Sequence, residues 1–221
     1  MAIRWYSGVL NHNIAPGISE FTECNAPDLS ASHPQAPHWL ANHFLNSVLR
    51  AQITGTYRQY VQNLLFRAQS CFHSYHSARE ITFQYLVAGT VHNPAIRTYF
   101  LAVTQWETCF LNAQIFIDIL NKMGGASRGQ PMFLEGDGSI EQRAYGIANT
   151  IKHWGSDLAA GRHSEEHTIP LWLANSGFET RINRLTFIEL GELVEGIAML
   201  ANDLQDPAAL AKRCEEGNGV S

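Results

Sequence analysis

"NPAIRTYFLAVTQWETCFLNAQIFIDILNKMGG", residues 93–125, decides the fold. Asn93 suits a helix N-cap, and Pro94 suits the first helical position, where its missing N–H costs nothing. From there the pattern is apolar around most of a helical circumference until the glycines after Met123. A helix apolar on nearly all sides belongs in the middle of a helical core. Glu107 is the exception, set within "VTQWETCF". A carboxylate in such surroundings needs a partner on a facing helix, as a structural hydrogen bond or as part of a site.

Outward from this helix, punctuation marks the other elements. Residues 1–37 carry Pro16, Pro27, Pro34 and Pro37 among Gly, Ser and Asn, which predicts irregular backbone with a short extended piece near Ile3–Tyr6. From His38 helical spacing takes over, through Trp39, Leu40, Phe44, Val48 and Ala51, then Tyr57, Tyr60, Val61, Leu64 and Leu65. Gly55 is a natural break between two helices, and Ser77 a natural cap for a third that ends at Gly89. After a glycine-rich loop, Asp137 or Ser139 opens a helix over 140–158. "TIPLWLANSGFET" reads as two short extended pieces around an Asn175–Gly177 turn. Thr186 with Glu189 three residues on is a capping box opening the last helix, through Leu190, Leu193, Ile197, Leu200 and Leu204. The reading is all-α: an up-and-down helical bundle over 38–206 with a short β-hairpin before the C-terminal helix, an N-terminal segment 1–37 and a tail 207–221.

Composition narrows the function classes. Hydrophobic residues make up 45% and charged residues 16%, so the chain is expected to be globular. A net charge of −5 argues against a broad basic surface for non-specific nucleic-acid binding. Cys24, Cys71, Cys109 and Cys214 are scattered without a C-x-x-C, which fits a reducing cytosol rather than a disulfide or zinc framework. "MAIRWYSGVLNHNIAPG" is no secretory signal, and the most apolar run, near Phe110–Leu120, is broken by Asn112, Gln114 and Asp118, so a cytoplasmic protein without a membrane span is expected. No P-loop, G-x-S-x-G or H-E-x-x-H motif occurs. His73 and His76 lie one turn apart with nothing nearby to complete a metal set. His163 and His167 flank Glu165 and Glu166 in a polar loop. No metal or cofactor is expected. Arg58, Arg67, Arg79 and Arg97 lie among aromatics, and would suit RNA only if the fold made them converge.

"YGIANTIKHWGSDL" (145–158) is the segment with chemistry. On a helical wheel Ile140, Ala144, Ile147, Ile151, Trp154 and Leu158 fall within a sector of roughly 80° and predict the core stripe. Gln142, Gly146, Asn149 and His153 form a narrower stripe nearly opposite. It is either a solvated face or a polar cleft or dimer seam, with Gly146 admitting another backbone.

This segment resembles the HEPN superfamily of helical-bundle proteins, many of them ribonucleases of bacterial conflict systems. The family signature is Arg, a polar residue often Asn, three variable residues, then His. Asn149 and His153 match; Ala148 stands where the family has arginine. "TYFLAVTQWETCF", "IPLWLANSGFET" and "LTFIELGELVEGIAMLANDL" are also similar to a subgroup lacking that arginine, so the likeness spans roughly residues 94–205. The resemblance implies a homodimer whose paired helices either cut RNA without metal or bind RNA or a cognate protein, as in a toxin–antitoxin or stress system. In a metal-independent endoribonuclease His153 would handle the proton, Asn149 would orient it or the phosphate, and Glu107 or Arg143 would assist. Lys152 is adjacent but about 100° round the helix. Without arginine, nothing at position 148 stabilises an oxyanionic phosphorane. The other reading is a non-catalytic dimeric interaction module.

Overall fold

The computed structural model describes residues 7–49, 55–88, 95–127, 131–162 and 168–206. In chain order these form α1 (Ser7–Asn13), a 3-10 turn (Ala36–His38), α2 (Trp39–Leu49), α3 (Gly55–Ala88), α4 (Ile96–Ser127), α5 (Ile140–Ala159), β1 (Trp172–Ala174), β2 (Gly177–Glu179), β3 (Arg184–Thr186) and α6 (Phe187–Leu204). The mainly helical expectation holds. The short β element is a three-stranded antiparallel meander in the order β1–β2–β3, where the sequence predicted only a hairpin. β3 escaped because Arg184 to Thr186 has no turn signal like the Asn175–Gly177 turn between β1 and β2, and it runs directly into the capping box at Thr186.

The two long helices α3 and α4 make the frame, and their contact is the most extensive in the molecule. α4 is indeed central: Tyr99, Trp106, Cys109, Phe110, Phe116 and Ile117 are all essentially inaccessible. Trp106, Phe110, Phe178 and Phe187 meet mostly edge to face, with centroids 4.7 to 6.0 Å apart. Such contacts add about 0.5–1.5 kcal/mol each beyond the area buried. They lock the meander and α6 onto α4. The predicted start at Asn93 and Pro94 lies outside the described residues, and Ser77 does not begin a helix. α3 runs through it unbroken, because a serine flanked by good helix formers is tolerated in mid-helix.

Two features of the packing are not readable from spacing. The N-terminal segment, expected to be irregular, holds helix α1 and is irregular after it, and Leu10, Ala15, Ile18, Phe21, Ala26 and Leu29 belong to the same core as α3, α4 and α6. Arg79 and Tyr75 hold it by donating to the carbonyls of Ala26 and Pro27, both at 2.9 Å. The apolar stripe of α2 does not face that core. Trp39 is buried, but Phe44 and Val48 are 61% and 63% exposed, while His43 on the opposite side is fully buried.

Two caps are as the sequence predicted. The Ser139 hydroxyl accepts from the Gln142 N–H at the start of α5. Thr186 and Glu189 form the reciprocal capping box of α6. At the β1–β2 turn Gly177 adopts φ +145°, and a Cβ there would strike the Leu185 carbonyl of β3, so only glycine fits.

Candidate functional site

α5 is wedged between α4 on one side and β3 with α6 on the other. It therefore buries residues on both flanks: Ala144 and Ile147 as expected, but also Ala148 and Thr150. Ile140 and Ile151 are partly buried against the core, while Leu158, at the end of the predicted stripe, is 49% exposed.

The polar stripe of α5 lies against α4 at its centre. Tyr145 donates to Asp118 Oδ1 at 2.9 Å, and the Gln114 amide donates to Asn149 Oδ1 at 2.6 Å. Four residues forward on α5 are matched by four residues back on α4, so the helices run antiparallel and these pairs are successive rungs. Burial, then the bond to the Asp118 carboxylate, pushes the Tyr145 phenol up. One rung further α4 offers only Phe110 and Leu111, and the ladder stops. His153 is exposed at that point beside exposed Lys152, and no hydrogen bond to its imidazole occurs among the described residues.

The remaining site residues are dispersed. Glu107 lies two turns before Gln114 on α4, half-buried, with no hydrogen bond or ion pair among the described residues. Burial lifts its carboxyl to about 7. Arg143 faces away from the seam. Its guanidinium grips Glu189 through both terminal nitrogens, at 2.5 and 3.1 Å, and reaches the carbonyls of Gly138 and Arg184. Arg143, mainly through that hydrogen bond, holds the Glu189 carboxyl down to about 2. Ala148 is fully buried, so the position where arginine would be expected points into the core. Gly146 does admit a close neighbour, but that neighbour is the Asn183 side chain of the same chain.

Compared with known proteins, the chain matches no family model, no curated protein and no solved structure. Its site rests on its own geometry.

A second constellation was not legible in the sequence. A cavity of about 350 Å³ opens between residues 30–37 and α3, lined by Ser30, His33, Pro34, Gln69, Phe72 and His76 among others. Behind it runs a hydrogen-bond chain whose direction can be deduced. The Trp39 indole N–H can only donate, and does so to Asn202 Oδ1 at 2.6 Å. The Asn202 amide must then donate to His33 Nδ1, at 2.9 Å. The ring proton of His33 is left on Nε2, 3.0 Å from Glu195 Oε1 but bent away from a good hydrogen bond. His33 is thus tied into the fold through Nδ1, with Nε2 beside the Glu195 carboxylate but without a good hydrogen bond, and it is architecture. His76 Nδ1 lies 3.9 Å from Asp28, its Nε2 is sealed from solvent without a hydrogen-bond partner among the described residues, and burial pulls its pKa down.

Other clusters resolve as structure. Among the described residues no group of three His, Cys, Asp or Glu side chains is arranged to hold a metal ion, and no helix is long and apolar enough to cross a membrane. His163, Glu165, Glu166 and His167 lie outside the described residues. The arginines do not form one patch: Arg79 holds Asp28, Arg67 donates to Asn112, and Arg58 and Arg97 are exposed. Cys71 and Cys109 lie with sulfurs 3.6 Å apart in the core, where burial raises the Cys109 thiol well above its ordinary range.

Proposed function

We propose that this chain is a HEPN-like helical interaction module that binds a protein partner and does not turn over RNA. The observation that carries this reading is the engagement of the polar residues of α5 inside the monomer. Asn149 is held by Gln114, Arg143 is fixed to Glu189, and Ala148 is sealed in the core. A phosphorane-stabilising site needs free cationic or N–H donors converging on one point, and the one arginine of α5 is turned to the far side. By its resemblance the module belongs to a cytoplasmic bacterial conflict or stress system, with a second copy or a cognate protein as partner.

One observation favours a metal-independent ribonuclease as the second reading. His153 and Lys152 are both exposed, and Glu107 on the adjoining helix has its carboxyl lifted to about 7, a range suited to proton transfer. The test is incubation of purified protein with mixed tRNA and mRNA in EDTA, alongside His153→Ala. Intact RNA in both supports the module. Cleavage that survives chelation and disappears in His153→Ala replaces it with the ribonuclease.

A further inference from the structure

α2 is amphipathic in the reverse sense. Its inward face is polar: His43 donates from Nδ1 to the Leu204 carbonyl at 3.0 Å, Asn42 donates to Gln205 Oε1 at 2.8 Å, and Asn46 to the Gln205 carbonyl at 3.0 Å. The bonds from His43 and Asn46 satisfy backbone carbonyls at the end of α6, which a helix terminus otherwise leaves open. Its outward face is Ala41, Phe44, Leu45 and Val48, at the i, i+3, i+4, i+7 spacing of a helix-packing stripe. Phe44, Leu45 and Val48 are 61%, 54% and 63% exposed. Beside the stripe a groove of about 610 Å³ runs between α2 and α3. Leu40, Ala41 and Phe44 form one wall and the carboxamides of Gln62, Asn63 and Gln69 the other. Phe66, 47% exposed, falls on the same face of α3 as Gln62 and Gln69.

We infer that this face is the docking surface for a second copy of the chain, with α2 packed antiparallel on its two-fold mate. Three observations choose that occupant. First, α2 holds no Asp, Glu, Lys or Arg, and neither wall of the groove carries a charge. For two copies that each carry −5, such a neutral patch places no like charges against one another. Second, a two-fold interface needs knob and hole on the same surface. Phe44 projects beside the groove, so each copy can seat its Phe44 in the other, with Ala41 opposite the mate's Val48. Third, the area is of the right order. Phe44, Leu45, Val48 and Phe66 leave on the order of 400 Å² of apolar side chain exposed. With the carboxamide wall, two copies approach the roughly 1,000 Å² lower bound for a specific interface. That size is the low end of the range, where weak and transient interfaces lie. The surface is separate from the α5 seam, since α2 packs on α3, α6 and the 3-10 turn.

This inference rests on the interaction-module reading and is tested by mass rather than by RNA. Sedimentation of the full chain over roughly 1 to 200 µM is expected to show a 24.6 kDa monomer passing to twice that mass. Phe44→Glu is expected to weaken association at least about tenfold. Leu45→Lys provides a second substitution on the same face, and both sites are exposed enough for the melting curve to stay unchanged. Leu158→Glu, on the exposed end of α5, should leave the dimer intact. A wild type that stays monomeric, or a dimer indifferent to both α2 substitutions, overturns the inference and leaves the module reading standing. RNA cleavage lost in His153→Ala overturns the module reading whatever the mass.

Discussion

At the scale of single residues, two carboxylates, Glu107 on α4 and Glu189 on α6, are driven in opposite directions. Glu107 has no partner among the described residues, and burial lifts it to about 7. A carboxyl whose folded pKa is raised contributes stability that is fully present below its unfolded value near 4.5 and is lost as pH climbs through 7. Glu107→Gln is therefore expected to melt several degrees above wild type at pH 8, by on the order of 1–3 kcal/mol, and level with it at pH 4.5. Equal melting of the two proteins at pH 8 would show the carboxyl to be well solvated. Glu189 behaves in the reverse sense. Arg143 holds it near 2, so the stability it contributes is present above about 4.5 and lost as pH falls toward 2. The side chains are 31% and 26% exposed, so water screens the pair, and Arg143→Ala is expected to cost about 1 kcal/mol at pH 7. That deficit should shrink in melts taken near pH 3.

At the scale of elements, α6 contains a matched pair of glycines that separates packing from propensity. A Cβ at Gly191 would run into the Pro27 ring, which cannot swing aside, whereas Gly196 has open space. Gly191→Ala should destabilise by about 1–3 kcal/mol and Gly196→Ala should stabilise by about 0.5–1 kcal/mol. Urea midpoints of the two variants decide this, and shifts in the same direction would contradict the packing described. The same helix shows what a sequence makes legible. Its start was readable because Thr186 and Glu189 sit at a local, fixed spacing, and α4 was readable because its apolar period runs for many turns. The orientation of α2 was not readable: periodicity reveals that a stripe exists but not which neighbour it meets. Asn149 stands out in the sequence as an unusual residue for a solvated face, yet its partner Gln114 lies 35 residues away, where it reads only as an interruption of an apolar run. The cavity lined by His33 and His76 unites segments that no local pattern connects.

At the scale of the whole molecule, residues 33–46 are clasped to α6 by carboxamides and imidazoles rather than by apolar area alone. Asn202 is the centre of that clasp, accepting from Trp39 and donating to His33. Asn202→Ala would leave a buried indole N–H and a buried imidazole nitrogen without partners, at a cost of about 2–4 kcal/mol. Hydrogen exchange should then show residues 33–46 opening well before α3 and α4; uniform loss of protection across all helices would argue against a separable clasp. The bonds across it join residues about 160 apart in the chain. α3 and α4, by contrast, are consecutive helices. Contacts between consecutive helices form early, and those that close a long loop form late. During synthesis α2 therefore emerges well ahead of α6, whose last turn supplies the carbonyls that its polar side needs. Until α6 is complete α2 has neither face satisfied, and the outward stripe becomes a defined surface only when the final helix arrives. On the α2 interface proposed above, assembly with a second copy would therefore follow completion of the fold.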